Sequence, residues 1–275
     1  MKRTNVIFAA SLLVFATSFS ACQKSETSDP VIDTVQDDDQ STALLDNVQA
    51  EADEVATMST AAKSSAEFAL MAGGSGTRTI VKSFSGDTII RTITYADYIN
   101  PNAANGHIKN GTIIVKVLGG PAQATFVKIT TLQNFNIDGI KIEGKRVVTK
   151  TADHQFNDVL TGGKVTFTDN TFITRNADHT RTWTAGYDTP LDITDDTYTF
   201  EGTASGTNRK GKSYTRTITN PLVIEATCRW IVEGTFEIVA DTKTAILDYG
   251  TGTCDNNATL TINGKTYDIT LRTKR

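Results

Sequence analysis

From Arg78 to the C-terminus, the chain is a succession of short β-forming segments rich in Thr, Val, Ile, Tyr and Phe. The clearest of them cover residues 113–117, 126–132, 164–168, 197–202, 213–218 and 229–239. No gap between these segments holds a helix long enough for the crossover that parallel strands require, so neighbouring strands should be antiparallel. The sequence therefore predicts an all-β fold in which an antiparallel meander forms a sandwich or an open barrel, preceded by one N-terminal helix.

Dipeptides typical of tight turns separate the predicted strands. They are Asn110-Gly111, Asp138-Gly139, Gly162-Gly163 and Asn263-Gly264. The last lies between ATLTI and KTYDITL, and a two-residue loop there sets Leu260 opposite Tyr267. Three segments also share an apolar-Glu-Gly centre, which indicates either meander units built on one template or the composition of Thr-rich strands alone.

The stretch before the β region has helical periodicity. Its larger apolar residues lie on one face of a helix: Leu44, Leu45, Val48, Val55 and Met58. Ser41 or Thr42 is suited to cap the start of this helix, and the GGSG run at residues 73–76 is suited to end it. We therefore predict a helix over residues 41–72, ahead of a single β domain over residues 77–275.

The first forty residues divide into a signal peptide and a tether. Lys2 and Arg3 precede a short apolar run and then small residues, which is the layout of a secretory signal over residues 1–21. The apolar run is too short to span a bilayer. Residues 22–40 are polar and acidic, with DDDQ at residues 37–40, and such a composition predicts a flexible tether.

The residues FSAC that end at Cys22 resemble the lipobox of bacterial lipoproteins, with Phe19 at the usual Leu position. The resemblance implies that Cys22 is lipidated and anchors the chain in a membrane; the alternative is an ordinary signal peptide followed by an unrelated cysteine. Gln23-Lys24-Ser25-Glu26 looks like the surface-export signals of Bacteroidota lipoproteins, although Ser25 interrupts the pattern. We therefore expect a lipid-anchored outer-membrane protein, surface-exposed rather than periplasmic.

Two cysteines follow the predicted anchor, Cys228 and Cys254. They flank two β-forming segments around a turn near residues 240–243, so a regular hairpin brings them opposite each other. In an exported protein an even count of cysteines favours a disulfide. Free buried thiols are the alternative.

The sequence nominates no catalytic residue and no cofactor. His107, His154 and His179 lack metal-ligand spacing and are expected in exposed turns. The net charge of −4 argues against nucleic acid as a partner. An acidic loop supplies weak candidate Ca²⁺ ligands: Asp188, Asp192, Asp195 and Asp196. A solvated loop that caps local backbone groups is the favoured alternative.

Two further sets of residues are candidates for recognition or modification. Trp183, Tyr187, Trp230 and Tyr249 are able to form a stacking platform, and packing in the core is the favoured alternative. Thr34 and Thr88 lie in Asp-Thr-apolar triplets that resemble the O-glycosylation sites of Bacteroidota.

Several longer segments carry a resemblance to one family: GYDTPLD, EGTASGTNRKGKSYT, CRWIVEGTFEI, LDYGTGTCDNNATLTINGKTYDITLR and the lipobox. With them the chain resembles a family of Bacteroidota outer-membrane or surface lipoproteins without an established activity. The resemblance implies an envelope location and a β-rich fold.

These observations favour a non-enzymatic surface module that binds a glycan or protein ligand or has a structural role. A periplasm-facing outer-membrane accessory, either a lipid carrier or an assembly factor, is the alternative, and an apolar groove would mark it. A hydrolase is the third hypothesis and requires clustered carboxylates with perturbed pKa values in a cleft.

Overall fold

The computed structural model describes residues 30–57, 68–72, 75–100, 106–120, 123–189 and 192–271. Helix α1 spans Pro30–Thr57. The strands are β1 (Phe68–Ala72), β2 (Ser75–Ser85), β3 (Thr88–Ile99), β4 (Ile108–Gly119), β5 (Phe126–Ile137), β6 (Ile140–Ala152), β7 (Gln155–Thr166), β8 (Phe172–Ala185), β9 (Thr197–Thr207), β10 (Ser213–Glu225), β11 (Ile231–Ala240), β12 (Lys243–Thr251), β13 (Asn257–Ile262) and β14 (Lys265–Thr270). A single 3₁₀ turn, Ile193–Asp195, lies between β8 and β9. No helix in these described ranges combines the length and the apolar character that crossing a membrane requires.

All fourteen strands belong to one open sheet in which each strand pairs with its neighbours in sequence, in the order β1 to β14. Every pairing is antiparallel. The predicted all-β meander with one preceding helix is therefore confirmed. The register of the last hairpin is also as predicted, because Leu260 pairs with Tyr267 around Asn263-Gly264.

Two of the predicted turns are irregularities inside strands. Asp138-Gly139 does join β5 to β6. Asn110-Gly111 instead lies within β4, where the register with β5 shifts, and Gly162-Gly163 lies within β7, where the register with β8 shifts. Glycine suits a β-bulge as well as a turn, so the dipeptide alone does not distinguish the two.

The helix begins earlier than predicted. It starts at Pro30, a residue type favoured at the first helical position, so residues 30–40 of the predicted tether are helical. Ser41 and Thr42 are not caps: both hydroxyls donate to the backbone carbonyl of Asp38 within the helix. Residues 68–72, predicted to be helical, form β1. The remaining tether residues and Met58 lie outside the described residues.

Helix α1 crosses the strands instead of running along them. It contacts β4 and β7 as well as β8, β11 and β12. Fourteen strands spaced about 4.8 Å apart span roughly 60 Å, whereas a helix of 28 residues is about 42 Å long. One helix therefore reaches strands from both halves only by lying across them on one side of the sheet, which we call the helix face.

The apolar residues of α1 tie together two hydrophobic clusters. Leu44, Leu45, Val48, Ala52 and Val55 are buried in the first cluster, against strands β2 to β9. Val31 and Val35 are buried in the second cluster, against β10 to β13 and Leu271. Burial of a Val or Leu side chain stabilises a fold by roughly 1.5–3 kcal/mol. The helix is thus a component of the core, and the apolar stripe predicted for residues 44–55 is confirmed.

Candidate functional site

The helix face pairs an acidic helix with basic strands. α1 contains eight Asp and Glu residues and no Lys or Arg. Ion pairs join its acids to the sheet: Asp33 with Lys210, Asp37 with Arg209, Asp38 with Arg175 and Arg216, Asp46 with Arg146, Glu51 with Arg78 and Lys109, Asp53 with Lys128, and Glu54 with Arg78. The partners come from β2, β4, β5, β6, β8, β10 and the β9–β10 turn, so these charges fix α1 across much of the sheet.

Asp38 is the most deeply buried of these acids, with an exposed fraction of 0%. Its carboxylate accepts hydrogen bonds from the guanidinium group of Arg175, from the hydroxyl of Tyr214 at 2.8 Å and from Nη1 of Arg216 at 3.1 Å. A carboxylate is costly to bury unless it is paired and hydrogen-bonded. Both β8 and β10 are therefore needed to hold this point of α1.

Arg146 forms a second junction, at the middle of the helix. Its Nε and Nη2 donate to the two carboxylate oxygens of Asp158 at 2.7 and 2.8 Å, and its Nη1 donates to Asp46 at 3.1 Å. Such a fork of parallel hydrogen bonds between guanidinium and carboxylate fixes orientation as well as charge. β6, β7 and α1 are thus joined through one side chain.

We expect the free energy of unfolding to fall as the pH is lowered below about 4.5, the ordinary value for Glu. Burial raises the pKa of Glu51, but its partners, Lys109 first among them, together outweigh burial and hold that pKa below the ordinary value. Burial likewise raises the pKa of Asp158, but the cations around it, Arg146 first among them, together outweigh burial and lower that pKa. Because the unfolded chain binds these protons more readily, this stability is complete above the ordinary values and is lost as the pH falls through the lowered ones.

Asp37 opposes this loss of stability at low pH. Burial raises its pKa, so the folded chain takes up that proton more readily than the unfolded chain. Urea unfolding followed by circular dichroism at pH 7, 5, 4 and 3 measures the sum of these contributions. A free energy of unfolding that stays constant or rises from pH 5 to pH 3 would contradict the expectation.

Helix α1 leaves little empty space on the helix face. The two best-formed cavities in the described part of the chain have volumes of about 20 and 30 Å³. The first lies beside Leu45 and Val48, and the second beside Asp38 and Phe236. A cavity needs a volume of roughly 10–15 Å³ to hold one water molecule, so both cavities are of water size.

Strands β8 and β9 have two unlike ends. The β9–β10 turn lies at one end, where Asn208 donates to the hydroxyl of Thr34 and Lys210 pairs with Asp33, so the start of α1 is beside it. At the other end the register sets Trp183 opposite Tyr198. His154, from the β6–β7 turn, and Tyr187, which follows β8, adjoin Trp183 there. We call His154, Trp183, Tyr187 and Tyr198 the aromatic end.

The rings of the aromatic end are arranged in layers. The centroids of Tyr187 and His154 are 4.1 Å apart with planes inclined by 31°, and those of Trp183 and Tyr198 are 5.8 Å apart with planes inclined by 26°. His154 meets Trp183 edge-on at 6.5 Å. Tyr187 is 40% exposed. The outermost ring is therefore open to solvent and rests on an imidazole that sets its plane.

Asp196 fixes the inner pair of rings. Its carboxylate accepts a hydrogen bond from Nε1 of Trp183 at 3.1 Å and another from the hydroxyl of Tyr198 at 2.9 Å. The guanidinium group of Arg181 lies 5.1 Å from the ring centroids of both Tyr198 and Phe156, where it makes cation–π contacts. Asp196 is 6% exposed, so these contacts are shielded from water.

Carboxylates belong to the same segment between β8 and β9 as the exposed ring. Asp195 accepts from the hydroxyl of Thr189 at 2.7 Å. Asp192 accepts from the backbone N–H and the hydroxyl of Thr194 at 3.0 and 2.5 Å, and these hydrogen bonds lower the pKa of Asp192. Asp188 directly follows Tyr187 and is exposed. Hydroxyl and amide donors that approach this segment thus find carboxylate oxygens exposed to solvent.

The predicted disulfide is present and braces the aromatic end. Cys228 and Cys254 are joined with their Cα atoms 5.8 Å apart. The bond links the segment between β10 and β11 to the segment between β12 and β13. The first of these segments also meets Asp196, whose carbonyl accepts a hydrogen bond from the N–H of Ala226 at 2.9 Å. The disulfide therefore restrains a segment that is in contact with the ring-holding acid.

The other predicted site residues have mixed outcomes. The four acids of the loop, Asp188, Asp192, Asp195 and Asp196, serve as the hydrogen-bond acceptors described above or lie exposed, and no group of acids, histidines and cysteines suited to a metal occurs in the described ranges. Trp183 and Tyr187 both contact the ring of His154, which is the arrangement that the platform requires and not the favoured core packing. Tyr249 does not join them, because it is buried against Phe236 in the second hydrophobic cluster, and Trp230 packs against that cluster.

The candidate modification sites differ in accessibility. Cys22 lies outside the described residues, and its lipidation stays a prediction. Thr34 does not fit the predicted glycan, because its side chain is fully buried in α1 with the hydroxyl bound to Asn208. Thr88 starts β3 beside the exposed Asp87 and stays a prediction.

Sequence reasoning missed two features of the site. His154 is in an exposed turn as predicted, but its contact with Tyr187 joins residues from different turns. Tyr198 lies in a predicted strand, but the sequence does not indicate its contact with Trp183. His179 is not in a turn: it lies within β8, where burial and the charges of Arg175 and Arg216 lower its pKa to about 4.

Comparisons with protein-family models, with curated proteins and with solved structures find no match to this chain.

Proposed function

We propose that the protein is a non-enzymatic binding module of the bacterial cell envelope, a lipoprotein of the Bacteroidota type that is anchored at Cys22 and meets its partner at the aromatic end. The observation that carries the proposal is that the start of α1 and the aromatic end lie at opposite ends of β8 and β9.

The geometry supports an outward-facing aromatic end. Pro30 follows Cys22 by eight residues, and eight extended residues reach at most about 29 Å. A lipid on Cys22 would thus keep the start of α1 and the adjacent β9–β10 turn close to the membrane. Strand β9 has eleven residues and extends roughly 35 Å away from that turn. The exposed Tyr187 would then face away from the bilayer.

We expect Cys22→Ser to move the protein from the membrane fraction to the soluble fraction. The lipid supplies the membrane affinity, at about 0.8 kcal/mol per buried CH₂. Fractionation of cells that express either form, with immunodetection, makes the measurement. A Cys22→Ser protein that stays in the membrane fraction would overturn the anchor.

Proteinase treatment of intact and lysed cells tests which side of the membrane the β domain faces. Loss of the wild-type protein from intact cells is the expected result. Protection until lysis would instead favour the periplasm-facing accessory, a lipid carrier or an assembly factor.

A further inference from the structure

We infer that the aromatic end is a binding site for a neutral glycan, with Tyr187 as the stacking ring and the carboxylates of the same segment as hydrogen-bond acceptors for sugar hydroxyls. The inference rests on the proposed function for the role of the aromatic end as the contact surface, and it names the class of ligand.

Tyr187 is both exposed to solvent and held in a fixed orientation. A tyrosine that serves only as core packing loses nearly all of its surface, as Tyr249 does at 7% exposed, whereas Tyr187 is 40% exposed. Its ring is nevertheless held, because it lies 4.1 Å from the His154 imidazole. A ring that is wet and already oriented loses little conformational entropy when the apolar C–H face of a sugar stacks on it.

Carboxylates in the same segment as Tyr187 suit the hydroxyl groups of a sugar. A sugar ring whose face stacks on an aromatic ring presents several hydroxyl donors at its own edge. Asp188 is exposed beside Tyr187, and Asp192 and Asp195 are exposed in the same segment between β8 and β9. Hydrogen bonds to ionised carboxylates are roughly twice as strong as those between neutral groups. An aromatic surface with a few polar acceptors is the composition expected of a small-molecule site.

The negative charge of this segment disfavours anionic ligands. The same three carboxylates would repel a uronate, a sialate or a sulfated sugar. Two cations near this end are engaged: Lys150 pairs with Asp153 at 3.2 Å, and Arg181 lies between two rings. Arg229 is exposed in the segment between β10 and β11, and the three carboxylates outnumber it. The local charge therefore selects uncharged sugars over anionic ones.

The rings of the aromatic end have a rigid support. Asp196 holds Trp183 and Tyr198 together, and the Cys228–Cys254 bond restrains the segment whose N–H binds the Asp196 carbonyl. A Cβ added at Gly186 would lie 2.4 Å from Oδ1 of Asp196, so the chain approaches this acid as closely as a glycine allows. A rigid support of this kind is what a preorganised binding site requires.

We expect the full-length protein, purified in detergent, to be retarded in native gels that contain at least one neutral polysaccharide from a set of laminarin, xyloglucan, mannan and dextran. Tyr187→Ala is expected to weaken that binding at least tenfold. Tyr267→Ala is the matched control, because Tyr267 is 46% exposed on the edge strand β14 and belongs to no ring cluster described above. Gels that contain alginate or polygalacturonate provide the anionic comparison.

Three results would overturn the inference: retardation only by the anionic polymers, equal binding by wild type and Tyr187→Ala, or no retardation by any polysaccharide of the set. Tryptophan fluorescence during titration localises the contact, since the chain has two tryptophans. We expect the change on binding to survive Trp230→Phe and to disappear with Trp183→Phe.

The cell experiments keep this inference separate from the proposed function. Surface exposure without glycan binding would remove the glycan assignment alone. Glycan binding by a protein that is protected in intact cells would remove the surface location and leave the site.

Discussion

Asp38→Asn is expected to lower the free energy of unfolding by about 3–5 kcal/mol, as for other buried ion pairs that lose one partner. The substitution keeps the shape of the side chain but removes the charge that Arg175 and Arg216 face. Both arginines are at most 5% exposed, so their guanidinium groups would remain charged away from water. The effect should appear as a lower urea midpoint with little change in slope.

Asp241→Asn is a suitable control for this variant. Asp241 pairs with Lys212 at 3.3 Å, and both side chains are about half exposed, at 51% and 54%. Exposed pairs contribute about 0–1 kcal/mol, and Asn tolerates the left-handed backbone of residue 241, whose φ is 54°. A loss for Asp38→Asn no larger than that of the control would show that α1 is held by apolar packing alone.

Removal of the disulfide by Cys228→Ser with Cys254→Ser is expected to lower the free energy of unfolding by about 3 kcal/mol. The bond closes a loop between residues that are 26 positions apart, and opening it increases the entropy of the unfolded chain. Dithiothreitol should lower the urea midpoint of the wild type to that of the double variant. Local disorder at the aromatic end should accompany this loss, seen as a change in near-ultraviolet circular dichroism.

Cys22→Ser is the control for the disulfide experiment, because it removes a cysteine without affecting this bond. Its urea midpoint should match that of the wild type, and it should still respond to dithiothreitol. An unchanged midpoint for Cys228→Ser with Cys254→Ser would mean that strand pairing alone determines the stability of this end.

Features that depend on nearby residues were predictable from the sequence. The β13–β14 register follows from the two-residue turn, and the disulfide follows from two segments of similar length on either side of residues 241 and 242. The apolar-Glu-Gly recurrence, which the sequence left open, has a structural cause in two of its three segments. A Cβ at Gly202 or Gly234 would lie 2.2 Å from a carbonyl oxygen of the neighbouring strand, so glycine marks close backbone contacts in both.

The start of α1 was not predictable in this way. The run DDDQ has the composition of a tether, since four consecutive polar residues offer nothing apolar to bury. Asp38 is nevertheless buried, because Arg175, Tyr214 and Arg216 donate hydrogen bonds to it. These partners lie 137 to 178 positions later in the chain, so no local pattern indicates them. The aromatic end has the same character: the contact of His154 with Tyr187 depends on the pairing of β7 with β8.

The acidic character of α1 has a consequence for the newly made chain. The partners of its acids lie between 24 and 178 positions later in the chain. Until the strands fold against the helix, its eight carboxylates repel one another and find no cation within the helix itself. Charge repulsion of this kind keeps the unfolded segment hydrated and opposes aggregation until the strands that neutralise it have paired.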